Sequence, residues 1–339
     1  MKKTLAIITA FLMLLAVVPV SARPEASDTA AHVRLGGYIV GNRNGAALYE
    51  WMGFYSDDPE NFDIYDSMDI SYGAACRGGF VYGFTYGYDT QGTLHSDLYR
   101  FSLKDHSVEF INGASAGGEF VFGMAYNSLD DTVYALCNEN SPYIASVDLD
   151  TGALTRVVTI QQSGAASLGV QTFAIDGQGR FLCLSFSATS AKLVEVNKST
   201  GACTQLLDTG YDTFYAQSMT YCAETNSIFW AHADYSANYK NGLYEISLSD
   251  YSITFLGTIG TDFELTCLYT VSGTQPAEGL PGDVNCDGAV TMADLSALSA
   301  YMLGKGSLSE QGILNADVNG DGNVNAMDLP LIYELTLRS

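Results

Sequence analysis

Between about Arg34 and Gly273, apolar and polar positions alternate in short runs rich in β-branched and aromatic residues, broken by Gly, Asn, Asp and Ser. A period near two predicts strands, and the breaks predict tight turns; helical periodicity is almost absent. One line returns five times. It reads LYEWMGFYS from Leu48, LYRFSLKDHSVEF from Leu98, IASVDLDTGALTRV from Ile144, LVEVNKSTGACTQL from Leu193 and LYEISLSDYSITFL from Leu243, at intervals of 50, 46, 49 and 50 residues. Each copy reads as strand, turn, strand, with Asp-Thr-Gly, Ser-Thr-Gly or a similar group in the turn, as a tight hairpin needs. Two further strands precede a copy, FVFGMAYNS and TVYALCNEN before the third and AQSMTYCAE and SIFWAHADY before the fifth.

Four strands in a unit of about 48 residues are the signature of a propeller blade. The first copy lacks its innermost strand, because GGYIVGN and AALYEWM open the region, and a spare strand, ELTCLYTVSG, follows the fifth copy. A spare strand that completes the first blade removes two exposed sheet edges at once. The expected fold is an all-β five-bladed β-propeller over residues 34–273. The even period and the spare strand argue against a sandwich or a solenoid.

Composition narrows the partners. The chain has 339 residues, 47% of them apolar, with 38 Asp and Glu against 15 Lys and Arg, for a formal charge of −23. Such a surface repels phosphate backbones and anionic membranes, so nucleic acid and membrane insertion are excluded as expectations, while cations and neutral glycans stay open. The opening stretch MKKTLAIITAFLMLLAVVPVSA has a positive start, an apolar run from Leu5 to Val18 and a small-residue cleavage site at Val20-Ser21-Ala22. It reads as a signal peptide over residues 1–22 and implies a secreted, extracellular protein. The seven cysteines show no CxxC and no pairing pattern, and most lie in strand-like runs, so they read as buried free thiols.

Composition shifts at SGTQPAEGLPG, which reads as a linker over residues 274–281, and a duplicated acidic string follows: GDVNCDGAVTMAD, then ADVNGDGNVNAMD. A calcium loop of the EF-hand kind takes oxygen ligands at positions 1, 3, 5, 7, 9 and 12, with Gly at 6 for a sharp turn. Asp283, Asn285, Asp287, Ala289 through its carbonyl, Thr291 and Asp294 fill these places in the first copy, with Gly288 at 6. Asp317, Asn319, Asp321, Asn323, Asn325 and Asp328 fill them in the second, with Gly322 at 6. One apolar helix-like stretch follows each loop, and no helix of that kind is predicted before either. The set calls for two Ca2+ ions, and so small a core needs them to fold.

From Gly282 to the end, these residues resemble a type I dockerin module: two DxNxDG loops with Asp at position 12, each followed by one helix. The resemblance implies a small α-helical calcium-binding domain over residues 282–339 that docks onto a cohesin module of a scaffolding protein in a cellulosome-type complex. In that family, recognition centres on loop positions 10 and 11, here Met292 and Ala293, then Ala326 and Met327. Two related helices would give a nearly two-fold symmetric docking face. Cys286 at position 4 and Pro330 early in the second helix depart from the pattern without disturbing it.

The propeller's own activity divides two ways. As a glycoside hydrolase in polysaccharide catabolism it needs two carboxylates facing each other across the funnel. Asp69, Glu119, Asp212, Asp262 and Glu264 are placed on outer-to-inner connections, with Glu119, Asp262 and Glu264 the catalytic candidates, but no motif surrounds them. As a carbohydrate-binding module it needs aromatic faces. Trp230, His232 and Tyr235 in SIFWAHADYSANYK and Tyr86 in FTYGYDTQGTLH are the candidates, against the competing reading that blades bury such residues in their core. The regular blades favour binding. There is no GxSxG, HExxH or P-loop.

Overall fold

The computed structural model describes residues 32–43, 46–67, 71–88, 90, 94–137, 141–167, 169–215, 217–234, 240–261, 263–271, 280–287, 289–308, 310–319 and 324–337. The expected signal peptide and most of the linker lie outside these residues. Blade 1 opens with β1 (Arg34–Arg43), β2 (Ala46–Tyr55) and β3 (Asp58–Ser67). Blade 2 is β4 (Ser71–Arg77), β5 (Phe80–Tyr88), β6 (Leu94–Ser102) and β7 (Val108–Ser115). Blade 3 is β8 (Val121–Asn127), β9 (Thr132–Cys137), β10 (Tyr143–Val147) and β11 (Leu154–Thr159). Blade 4 is β12 (Val170–Ile175), β13 (Phe181–Ser185), β14 (Lys192–Val196) and β15 (Cys203–Asp208). Blade 5 is β16 (Ser218–Cys222), β17 (Ser227–Asp234), β18 (Lys240–Ser247) and β19 (Ile253–Gly260). The last strand, β20 (Phe263–Thr270), returns to blade 1.

The result is five antiparallel four-stranded sheets, the propeller that the period predicted. The recurrent line is the third strand of each blade running into the fourth. The spare strand closes the ring: β20 is the innermost strand of blade 1 and pairs with β1, with Leu35 opposite Thr270 and Ile39 opposite Leu265.

The five innermost strands stand side by side without a shared ladder, so backbone groups on their inner edges need other partners. Hydroxyls supply them. Thr172 Oγ1 accepts from the Met219 amide at 3.1 Å, and Ser218 Oγ from the Leu268 amide at 2.6 Å. Thr266 Oγ1 donates to the Ser71 carbonyl at 3.1 Å. Ser and Thr on the inner strands thus stitch blade 4 to 5, 5 to 1 and 1 to 2.

The propeller's core is five separate clusters, one at each junction between blades. Blades 1 and 2 meet on aromatics: Trp51, fully buried, stacks on Phe101 at 5.3 Å and lies 5.2 Å from Tyr38 and 6.0 Å from Tyr269.

The C-terminal segment holds α1 (Met292–Met302), α2 (Glu310–Ala316) and α3 (Asp328–Thr336) around a core of its own. That core repeats at 34 residues: Val284 with Val318, Val290 with Val324, Leu295 with Leu329 and Leu298 with Ile332. α2 corrects the expectation that no helix precedes either loop. It buries Ala316 completely, and Asn315 on it donates to the Asp283 carbonyl at 2.6 Å, tying the second repeat to the first loop. Its sequence, EQGILNA, is too short to show a helical period.

Trp51→Ala should remove about 3–5 kcal/mol of stability, since it empties an aromatic joint between two blades. Denaturant unfolding of the full chain measures this; a loss under about 1 kcal/mol would mean that the junctions do not hold the ring.

Candidate functional site

Among the described residues, the two duplicated loops share three hydrogen bonds. In the first, Asp294 Oδ1 accepts from the Asn285 amide at 3.0 Å and Oδ2 from the Thr291 amide at 2.8 Å. In the second, Asp328 Oδ1 accepts from the Asn319 amide at 3.4 Å and Oδ2 from the Asn325 amide at 2.9 Å. The position 9 side chain accepts from the position 11 amide in both: Thr291 Oγ1 from Ala293 at 3.1 Å and Asn325 Oδ1 from Met327 at 2.9 Å. With Thr291 and Asp294 this completes a capping box on α1. Asp287 takes position 5 with its amide on Asp283 Oδ1 at 3.0 Å, and its Oδ1 accepts from the Ala289 amide at 3.0 Å. Cys286 holds position 4 at φ +59°, a left-handed residue that brings the chain round towards position 5. Gly288, Asp321, Gly322 and Asn323 lie outside the described residues.

Asp294 and Asp328 are fully buried, and neither makes an ion pair with a basic side chain among the described residues. A buried carboxylate held only by neutral donors, here backbone amides and the Thr291 hydroxyl, carries a desolvation cost that a cation relieves. The loop donors are carboxylate, amide, hydroxyl and carbonyl oxygens, the set a hard ion such as calcium takes. Among the described residues no three His, Cys, Asp or Glu side chains converge as a metal cluster. The residues present fit calcium.

Met292 and Met327 stand at the loop ends, 59% and 69% exposed, with Ala293 and Ala326 exposed beside them. Two further apolar side chains were missed in the sequence. Leu303 and Leu337, at the far ends of α1 and α3, are 67% and 68% exposed. Their separation, again 34 residues, is the signal that finds them.

In the propeller the structure revises the aromatic platform. Trp230 is fully buried between blades 4 and 5, and its Nε1 donates to Gln217 Oε1 at 2.9 Å. His232 is buried beside it, its Nε2 on the Asp212 carbonyl at 2.9 Å and its ring edge-on to Trp230 at 4.9 Å. Neither offers a face to a ligand, because blades stack face to face and consume what their faces carry. Tyr86 is half-buried, its hydroxyl on the Val121 carbonyl and its ring 4.7 Å from Phe120. Tyr235 lies outside the described residues.

Of the carboxylates, Asp69 and Asp262 are not described. Glu264 falls within β20, not on a connection, and is half-buried. Glu119 is half-buried on the connection between β7 and β8, and Asp212 accepts from the Phe214 amide at 3.2 Å in its own turn. A cavity of about 150 Å3 sits in the central channel towards the C-terminal ends of the inner strands. Asp176 is the one carboxylate among its described lining residues, and Arg180 Nε already neutralises it at 2.6 Å.

All seven cysteines are free thiols. Burial pushes Cys137 and Cys267 up to about 12, whereas Cys286 is exposed on the first loop.

A family-wide comparison matches residues 281–334 to the dockerin type I domain. That segment is a type I dockerin, a calcium-binding module whose partner is a cohesin. No curated protein matches the chain. Among solved structures, a candidate 6-phosphogluconolactonase from Bacteroides uniformis aligns at 10% identity and TM-score 0.42, over 71% of this chain and 99% of that one. A second, from Bacteroides fragilis, aligns at 8% and 0.42, over 73% and 100%. The β-propeller domain of the Trilobed protease from Pyrococcus furiosus aligns at 12% and 0.31, over 56% and 58%. Likenesses this distant bring no activity to the chain. No helix among the described residues is long and apolar enough to cross a membrane.

The thiol geometry sets a labelling order. At pH 8 a thiol at about 12 is thiolate in roughly one part in ten thousand. Iodoacetamide with mass spectrometry should modify Cys286 within minutes, and Cys137 and Cys267 only after unfolding. Their folded values lie above the free-thiol value of about 8.5, so this share of stability is intact below that pH and falls as pH rises towards 12. Rapid labelling of Cys137 in the native protein would contradict the packing of blade 3.

Proposed function

We propose that the chain is a secreted component of a polysaccharide-degrading assembly: residues 1–22 direct export, residues 34–273 are the propeller cargo, residues 274–281 a linker and residues 282–339 the dockerin address. Each loop holds one calcium ion. The ligands are Asp283, Asn285, Asp287, the Ala289 carbonyl, Thr291 and Asp294 in the first, and Asp317, Asn319, Asp321, Asn323, Asn325 and Asp328 in the second. The observation that carries this reading is the repeated loop geometry, with a buried acid lacking a basic partner at position 12 of each copy.

Bound calcium fixes the start of α1 and α3, and with them Met292, Ala293, Ala326 and Met327, which contact the cohesin. Methionine suits this place because its flexible, polarisable side chain fits an irregular apolar groove. The cargo binds glycan, and the dockerin's usual company supports that. The channel cavity adds to the case against hydrolysis, because its one described carboxylate is tied to Arg180.

Chelation of the full chain should abolish capture by a panel of immobilised cohesin modules, with full recovery on adding calcium. Capture unchanged by chelation would remove the calcium reading. Changing Met292 and Met327 together to Glu should weaken capture by about a hundredfold, roughly 2.7 kcal/mol, the scale of a desolvated hot spot. Retention on neutral polysaccharide columns without release of reducing sugar is the expected cargo behaviour. Sugar release would make the propeller a hydrolase.

A further inference from the structure

The cleft between blades 2 and 3 contains an arginine that has not been spent on an ion pair. Among the arginines whose side chains are described, Arg34 lies 3.6 Å from Asp63, Arg77 2.6 Å from Asp131, Arg100 2.6 Å from Glu109 and Arg180 2.6 Å from Asp176. Arg156, on β11, has no carboxylate partner among the described residues. Its guanidinium lies 3.8 Å over the ring of Tyr143 on β10, and the residue is exposed, so its N–H donors are open to a ligand.

Beneath it, Tyr143 is buried and borders the same cleft as Glu119. Burial first, and then the neighbouring Glu119 carboxylate, hold the phenol well above its ordinary value, so it stays protonated. The Glu119 carboxylate offers acceptor lone pairs to donors in the cleft. The three side chains border a cleft of about 400 Å3, closed on its other flanks by Gly117 and Leu154.

We infer that this cleft binds a uronic acid residue of an acidic polysaccharide, its carboxylate on Arg156 and its ring hydroxyls on Glu119. The inference rests on the glycan-binding reading above and deepens it. Arg156 selects an anion and makes a planar, bidentate contact with a carboxylate. Glu119 repels an anion and takes hydrogen-bond donors. The ligand must therefore carry a carboxylate at one end and hydroxyl donors at the other, which is the chemistry of a uronate. In a chain of net charge −23, long-range attraction cannot recruit such a ligand, so a cation held in place at short range has to do it.

The test is calorimetric titration of the full chain with trigalacturonate, and with galactotriose as a neutral counterpart, at physiological salt. Trigalacturonate should bind more tightly than galactotriose. Arg156→Ala should weaken trigalacturonate at least tenfold and leave galactotriose unchanged. Glu119→Gln, which keeps the shape and loses the charge, should weaken both sugars. Circular dichroism of each variant checks the fold, and Arg156→Lys serves where Arg156→Ala fails to fold: a point charge without the planar fork should still lose severalfold. Equal trigalacturonate affinity in Arg156→Ala, or tighter binding of galactotriose to the unaltered chain, overturns the uronate inference and leaves glycan binding standing. No binding of either sugar overturns both. Binding of free alanine that Arg156→Ala abolishes would instead make the cleft a site for a zwitterionic amino acid, and also overturns the inference.

Discussion

A flat sheet has two edges, and each unpaired edge is a row of backbone donors and acceptors without partners. The propeller depends on how these edges are satisfied. Around the ring, strand pairing holds each blade together but cannot join one blade to the next. Two devices fill the gap. The last strand of the propeller, β20, returns and pairs with β1, so that the propeller's first and last strands share one sheet. Along the inner strands, the hydroxyls of Thr172, Ser218 and Thr266 bond backbone groups across blade boundaries, Thr266 on the Ser71 carbonyl.

The same geometry explains why the aromatic-rich sequence does not make an aromatic-rich binding face. A blade has two faces, and both meet neighbouring blades. Trp51, Trp230, Tyr38, Tyr99 and Tyr244 are all consumed at junctions. Aromatic density therefore measures how tightly the blades are joined. Polar chemistry survives where the junctions open at their rims, and the Glu119–Tyr143–Arg156 cleft is such a rim.

The C-terminal segment solves a different problem with few residues. Its core repeats at 34 residues, and each repeat places a buried aspartate under one end of a helix. Amides of the loop stabilise that charge in part, and a cation in the proposed calcium site would complete the compensation. Burying an acid without a basic partner is costly, so in the proposed calcium site folding and metal binding would be one equilibrium. The apolar side chains at both ends of α1 and α3 are exposed, a pattern that makes sense on a surface another protein covers.

Much of this was written in the chain. The recurrent line at Leu48, Leu98, Ile144, Leu193 and Leu243 gives the blade count, because strand period and turn chemistry are local properties. The leftover ELTCLYTVSG reveals the closure, since an unpaired strand must find an edge. The loops at Asp283 and Asp317 are legible for the same reason: ligand spacing is fixed by one turn of backbone. Helix α2 was not legible, being shorter than its own period needs. Which aromatics are buried was not legible either, because a Trp in a strand looks the same whether its face meets a neighbouring blade or water. Nor could sequence show Arg156, a lone basic residue in TGALTRVV, above Tyr143 and near Glu119. Two of those residues lie on adjacent strands of blade 3 and the third on the connection that leads into it, and only the folding of that blade brings them together. Local spacing determined the elements and the calcium loops; long-range packing decided which side chains remain free to act.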